Sequence, residues 1–138
     1  KSTNLKGANL RGTYLLHGAN LTGADLSDAD LTKANLSKAE LGGVKLIKAN
    51  LYKAKLSEAN LSGADLSEAD LSKTKLNKAK LSKVNLQNAC LRGTDLKGAA
   101  DLTIEQLSEV NTLYKSKIDA ELVEQIKEKH PHLLEKPK

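Results

Sequence analysis

From Leu21 to Leu96, leucine returns at every fifth residue, sixteen times without a miss. Two positions before each leucine sits a small residue: Ala twelve times, otherwise Val44, Thr74, Val84 and Thr94. The position between is Asn or Asp in ten of the sixteen repeats. Leu5, Leu10 and Leu15 keep the same step, and a six-residue step then leads to Leu21. A period of five matches neither the 3.6 of a helix nor the 2.0 of a strand. On a helix each leucine would rotate by roughly 140° from the last, and on a flat strand successive leucines would face opposite ways. The leucines share one side only if the backbone bends once per repeat and closes on itself. Asn and Asp suit such a bend, because they tolerate left-handed dihedrals and bond their own backbone; the Ser or Thr after most leucines does so more weakly. Self-similarity this strict predicts a repeat architecture.

The pattern slips at Ala99-Ala100 and stops, so the chain divides into a repeat region, residues 1–100, and a tail, residues 101–138. Thr103-Ile104-Glu105-Gln106 reads as a capping box, which predicts a short helix with Leu107 and Val110 on one face. Asp119 is placed to cap a second helix, on which Ile118, Leu122, Val123 and Ile126 recur at helical spacing. Pro131 ends that helix. The apolar face of the tail suits the exposed leucine layer at the end of the last coil, and the tail is therefore expected to act as a cap.

Composition narrows the picture. The chain has 138 residues, no Phe, Trp or Met, and three Tyr, so a mixed aliphatic and aromatic core is excluded. No apolar run approaches the roughly 18 residues that span a membrane. One cysteine, Cys90, rules out an internal disulfide and leaves the redox compartment open. The chain starts at Lys1 without Met, which fits a cleaved export signal as well as a trimmed start.

Tandem A(D/N)LXX units resemble the pentapeptide repeat proteins over residues 3 to about 100. The resemblance implies an all-β fold: a right-handed parallel β-helix of square section with four repeats per coil, here with a short C-terminal helical cap. The inward positions would be the leucine and the small residue two before it. Where the family mixes Leu and Phe at the centre, this chain uses Leu alone, which implies an evenly packed interior. The tail resembles C-terminal segments of pentapeptide repeat proteins from photosynthetic bacteria, several of which are exported to the periplasm or thylakoid lumen. The resemblance also brings in DNA mimicry against gyrase, which family members perform with an acidic surface.

No catalytic, cofactor-binding or metal-binding set is read from the sequence. Serines fill repeat corners with no base placed to activate one. His17 stands alone near the irregular step, and His130 and His132 flank Pro131 without a third ligand. Charge is the remaining signal. Residues 1–100 hold sixteen Lys/Arg against nine Asp/Glu, a balance opposed to DNA mimicry. If twenty residues make one coil, Lys33, Lys53 and Lys73 form a ladder with Lys55 and Lys75 beside it, and these five are the candidate interaction surface. Asp25, Asp28, Asp30, Asp65, Glu68 and Asp70 gather at another corner, interrupted by Lys45 and Lys48. The expected function is a non-enzymatic scaffold with a protein partner of unknown identity, monomeric or weakly dimeric end to end. The alternative is nucleic-acid binding by the lysine edge. An absence of interleaved aromatics and arginines from that edge counts against base readout.

Overall fold

The structure is a computed structural model, and it describes residues 3–14 and 16–138. Each repeat contributes one short parallel bridge through the residue just before its leucine, and bridged partners lie twenty residues apart through most of the chain. Twenty residues at five per bend give four sides to a coil. The first side stacks Asn20, Glu40, Asn60, Lys80 and Ala100. The second stacks Asn4, Asp25, Lys45, Asp65 and Asn85. The third runs Asn9, Asp30, Asn50, Asp70, Cys90, Thr112, and the fourth runs Asn35, Lys55, Lys75, Asp95, Lys117. With parallel strands about 4.8 Å apart, the six rungs of the third side span about 24 Å.

The backbone explains why five residues make one side. In the unit from Ala24 to Asp28, Ala24 N–H closes a turn onto Leu21 at 2.9 Å and Asp25 N–H donates to Thr3 of the preceding coil at 2.8 Å. Leu26 and Asp28 N–H donate to Lys45 and Ile47 of the next coil at 2.7 and 2.9 Å. The fifth donor, Ser27 N–H, goes to Oδ1 of Asp25 at 3.0 Å. All five donors of the unit are thus satisfied, four by backbone and one by the Asp or Asn side chain.

This assigns the bend differently from the sequence expectation. The left-handed residue is the one two after each leucine, with φ near +60° at Lys33, Lys53, Glu58, Lys73 and their equivalents. The Asn or Asp just before the leucine lies in the bridge and adds a side-chain bond there, while Asp28, Asn88 and Asp101 do take the left-handed conformation. A positive φ at the third residue of a four-residue turn is the type II signature, which favours glycine, and eight of the nine glycines have positive φ.

Inside, Leu26 to Leu81 are fully buried, with Ala24 to Ala89 filling the slots between them. Each buried leucine contributes roughly 2 kcal/mol before conformational entropy is counted. Thr74 and Thr94 occupy alanine slots and donate their hydroxyls to Leu51 and Leu71 O at 2.6 and 2.7 Å, so neither leaves a buried polar group unpaired.

The irregular step lies elsewhere than the leucine spacing suggested. Asn4 and Asn9 bridge partners twenty-one residues on, whereas Asn20 bridges Glu40. Thr13 O accepts from Asn35 N–H just as Ala34 O accepts from Lys55 N–H, so Thr13 fills an alanine slot. Leu16, partly buried against the core, keeps the five-residue step with Leu21. The extra residue therefore falls between Thr13 and Leu16; Leu15 lies outside the described residues.

In the tail, α1 (Ile104–Leu107) carries the expected capping box. The amide of Gln106 also donates to Leu81 O and Val84 O at 2.9 and 3.1 Å, joining the helix to the last full coil. Stacking resumes beyond residue 100, because Thr112 bridges Cys90 and Lys117 bridges Asp95. Leu113 and Ile118 are buried there as repeat leucines would be, and Lys115 adopts the left-handed turn position. Ile118 thus belongs to a rung, and α2 (Ala120–Lys129) begins after it. Asp119 precedes α2 without a side-chain cap bond; its carboxylate accepts instead from Gly98 N–H at 3.1 and 3.2 Å. Ile126 of α2 and Leu133 of the 3-10 turn Pro131–Leu134 join the leucine core.

Candidate functional site

Each repeat turns three positions away from the leucine core: the bridge residue, the residue after the leucine, and the left-handed residue. The second ranges from buried at Thr32 through half-buried at Tyr52 and Tyr114 to exposed at Arg92, and the third is exposed in most repeats. Stacked on successive rungs, these become straight columns up the sides of the rod. The left-handed column of the third side reads Gly12, Lys33, Lys53, Lys73, Gly93, Lys115. Around the corner, the bridge column of the fourth side carries Lys55, Lys75, Asp95 and Lys117. All five lysines of the sequence-predicted surface are exposed, and the two columns bring them together at one corner. Lys115 and Lys117, which the sequence reading assigned to the tail, extend the same columns by one rung.

The column on the other flank was missed. The position after each leucine on the third side reads Arg11, Thr32, Tyr52, Ser72, Arg92, Tyr114. Both arginines of the chain and two of its three tyrosines stand in it. Lys53 Nζ lies 5.4 Å from the Tyr52 ring centre. Tyr114 has Arg92 at 5.2 Å and Lys115 at 5.5 Å. Tyr14, 78% exposed, follows Thr13 at the foot of the adjoining bridge column. Aromatics and arginines therefore do flank the lysine edge, contrary to the sequence expectation. The signal was present in the sequence; it needed the twenty-residue register, carried through the insertion and into the tail, to be read.

Charge is partitioned by corner. Across the three columns just described, nine cations face a single carboxylate, Asp95. The corner between the second and third sides is instead acidic on balance, with Asp28, Asp30, Glu68 and Asp70 against Lys6 and Lys48. On the second side, Asp25 and Asp65 alternate with Lys45, so the acidic residues are interrupted as the sequence suggested. The Asp25 carboxyl is held below the ordinary carboxylate value chiefly by the N–H of Ser27, and then by its hydroxyl. For Asp30 the Thr32 hydroxyl, at 2.6 Å, is the largest cause, followed by the Thr32 N–H. Arg11 lies 3.5 Å from Asp30 and adds to the effect.

Other chemistry-bearing residues are dispersed. Cys90 fills a bridge slot with its Sγ 3.2 Å from Ser72 Oγ. His17 is exposed, and the rings of His130 and His132 are 6.2 Å apart. Where α1 meets the last coil, Val84, Leu86, Glu105, Gln106 and Glu109 line an open cleft of about 230 Å³. Among the described residues no helix is long and apolar enough to cross a membrane.

The solved structures similar to this chain share its architecture. A pentapeptide repeat protein from Nostoc Pcc 7120 aligns at 29% identity and a TM-score of 0.51, covering 84% of each chain. QnrB1, a plasmid-mediated fluoroquinolone resistance protein, aligns at 24% identity and 0.52 over 93% of this chain and 64% of its own. HetL, involved in heterocyst differentiation regulation in the cyanobacterium Nostoc sp. strain PCC 7120, aligns at 33% identity and 0.43. That alignment covers 85% of this chain, which spans 60% of HetL's length and so falls below two thirds of HetL and QnrB1 alike. No curated protein sequence is significantly similar to the chain. The family model for pentapeptide repeats matches in overlapping blocks from residue 1 to residue 98, eight copies in all. With that match and the four-sided coil, the chain belongs to the pentapeptide repeat family and folds as its right-handed quadrilateral β-helix.

Proposed function

We propose that this protein is a non-catalytic interaction scaffold, a stiff rod that docks an acidic partner along its basic corner, with residues 101–138 serving as its C-terminal cap. The observation that carries the reading is the segregation of charge: nine cations against one carboxylate on one corner, in columns that the backbone holds in register. A surface fixed by backbone hydrogen bonds loses little conformational entropy on binding, which favours recognition by a preformed face. The hydroxyls beside carboxylates are engaged in turns, as Thr32 and Ser67 donate to Asp30 and Asp65 at 2.6 Å. That use of serine and threonine is structural and supports a scaffold over a hydrolase. The net positive repeat region likewise argues against imitation of DNA.

The test is affinity capture with the intact chain and with the triple variant Lys33→Glu, Lys53→Glu, Lys73→Glu. All three lysines are exposed, so the variant is expected to keep its circular dichroism spectrum and melting temperature. Partners recovered by the intact chain should be lost by the variant. Recovery of the same partners at the same salt would show that the basic corner is not the docking edge.

A further inference from the structure

We infer that the basic corner is a binding strip for single-stranded nucleic acid. The inference rests on the scaffold reading and names the chemistry of its partner. Lysine ladders alone would serve any acidic chain. What distinguishes this corner is that the scarce residue types of the protein are sorted onto it. Arg11, Tyr52, Arg92 and Tyr114 share one column beside the lysines, and Tyr14 stands at the foot of the next. Among the described residues, no other outward column of the repeat rungs carries a tyrosine or an arginine.

The arrangement matches the two requirements of single-strand binding. A backbone of phosphates needs a run of cations, and unstacked bases need flat faces to lie on. The columns of Lys33 to Lys115 and of Lys55 to Lys117 supply the first along about 19 Å of rod. The tyrosines supply the second. Tyr52 and Tyr114, both half-exposed, have a lysine or arginine about 5.2–5.5 Å from the ring centre, so the rings lie directly beside the charge. An acidic polypeptide would use the lysines but has no need of ring faces. A duplex keeps its bases stacked inside and would leave the tyrosines without partners. Nothing in the strip makes a donor–acceptor pattern for a particular base, so binding is sequence-tolerant.

The experiment uses the whole chain and a fluorescein-labelled oligo(dT) of about 20 nucleotides, read by anisotropy. Binding should be clear at low salt, with log affinity falling against log salt by about 0.7 per phosphate contacted. Oligo(U) of equal length should bind comparably, because ring stacking is indifferent to the sugar. A duplex of equal length should bind more weakly, and a poly-glutamate chain of equal charge more weakly still. The double variant Tyr52→Ser, Tyr114→Ser places in both slots the residue that already occupies this column at Ser72. It should keep its melting temperature and its weak poly-glutamate affinity yet lose about tenfold or more in oligo(dT) affinity. Equal binding of oligo(dT) by the intact chain and the tyrosine variant would overturn the inference. Equal or tighter binding of poly-glutamate would overturn it too, and would hand the corner to an acidic protein. An intact chain that ignores the oligonucleotides but captures a protein lost by the lysine triple variant leaves the scaffold standing and removes this partner.

Discussion

At the scale of the residue, the structure turns on where one backbone donor goes. The N–H after each leucine has no acceptor in the coil, and Asn or Asp two residues earlier supplies it, as Asn60 does for Ser62 at 3.1 Å. Lys80 stands in the same slot one rung on and has no such oxygen to offer Ser82. Asn60→Ala should therefore lower stability by about 1 kcal/mol, and Lys80→Asn should raise it by a similar amount. Urea melts of the two single variants check this; a Lys80→Asn protein no more stable than its parent would contradict the role given to the slot. The sequence made the slot visible but not its geometry, because Asn and Asp are equally at home in left-handed turns and in side-chain bonds to their own backbone. The same bonds give the protein an acid limb. Asp25 and Asp30 have lowered folded-state pKa values. Their stabilising contribution is complete above the unfolded carboxylate value of about 3.9 and is lost as pH falls through the lower folded values. Asparagine accepts the same turn bond without titrating, as Asn20 does for Thr22. The double variant Asp25→Asn, Asp30→Asn should consequently lose less melting temperature than the parent between about pH 5 and pH 2.

Among the elements, the repeats were readable and their departures only partly so. Leu15 and Leu16 are adjacent, and periodicity alone gives no reason to choose the second, whereas the carbonyl of Thr13 and the packing of Leu16 put the extra residue before it. In the tail, the Thr103–Gln106 box was legible because capping is a local bond pattern. The rung at Thr112–Ile118 was not, because Thr112 and Lys117 replace Asx, and Asn111 and Ser116 replace alanine. Thr112 nonetheless keeps the turn chemistry, its hydroxyl oxygen accepting from Tyr114 N–H at 3.0 Å. Besides this rung, α1 before it and α2 and the 3-10 turn after it bring Leu107, Ile126 and Leu133 into the leucine core. Removal of residues 101–138 strips the final rung and the helices together and leaves the layer from Leu81 to Leu96 with open strand edges. The truncated chain should retain a β-type circular dichroism spectrum and self-associate. Sedimentation showing an equally stable monomer would mean that the tail is no cap.

For the molecule as a whole, a solenoid has no remote contacts to spare: each rung is held by the rungs above and below it. Sixteen leucines in step were enough to foresee the closed coil, and the family resemblance supplied its four sides. The distribution of function over those sides was harder to see. The lysine ladder emerged from counting in twenties, but the arginine and tyrosine column did not, since the insertion shifts Arg11 by one residue and the tail shifts Tyr114 by two. One-dimensional stability also sets the consequence of a core lesion. Leu61 is fully buried in a middle rung, whereas its neighbour Ser62 is partly exposed and uses its backbone N–H in the turn. Lysine is compatible with the position after a leucine, because Lys6 and Lys97 occupy it with their N–H groups bonded to Asn4 and Asp95. Leu61→Lys places an ammonium among leucines with no counter-charge and interrupts the stack at its centre. The loss should exceed about 3 kcal/mol, a large share of the 5–15 kcal/mol that stabilises a typical domain, while Ser62→Lys should change stability by less than about 0.5 kcal/mol. Thermal melts of the pair decide the matter, since equal melting temperatures would mean that the leucines do not carry the fold.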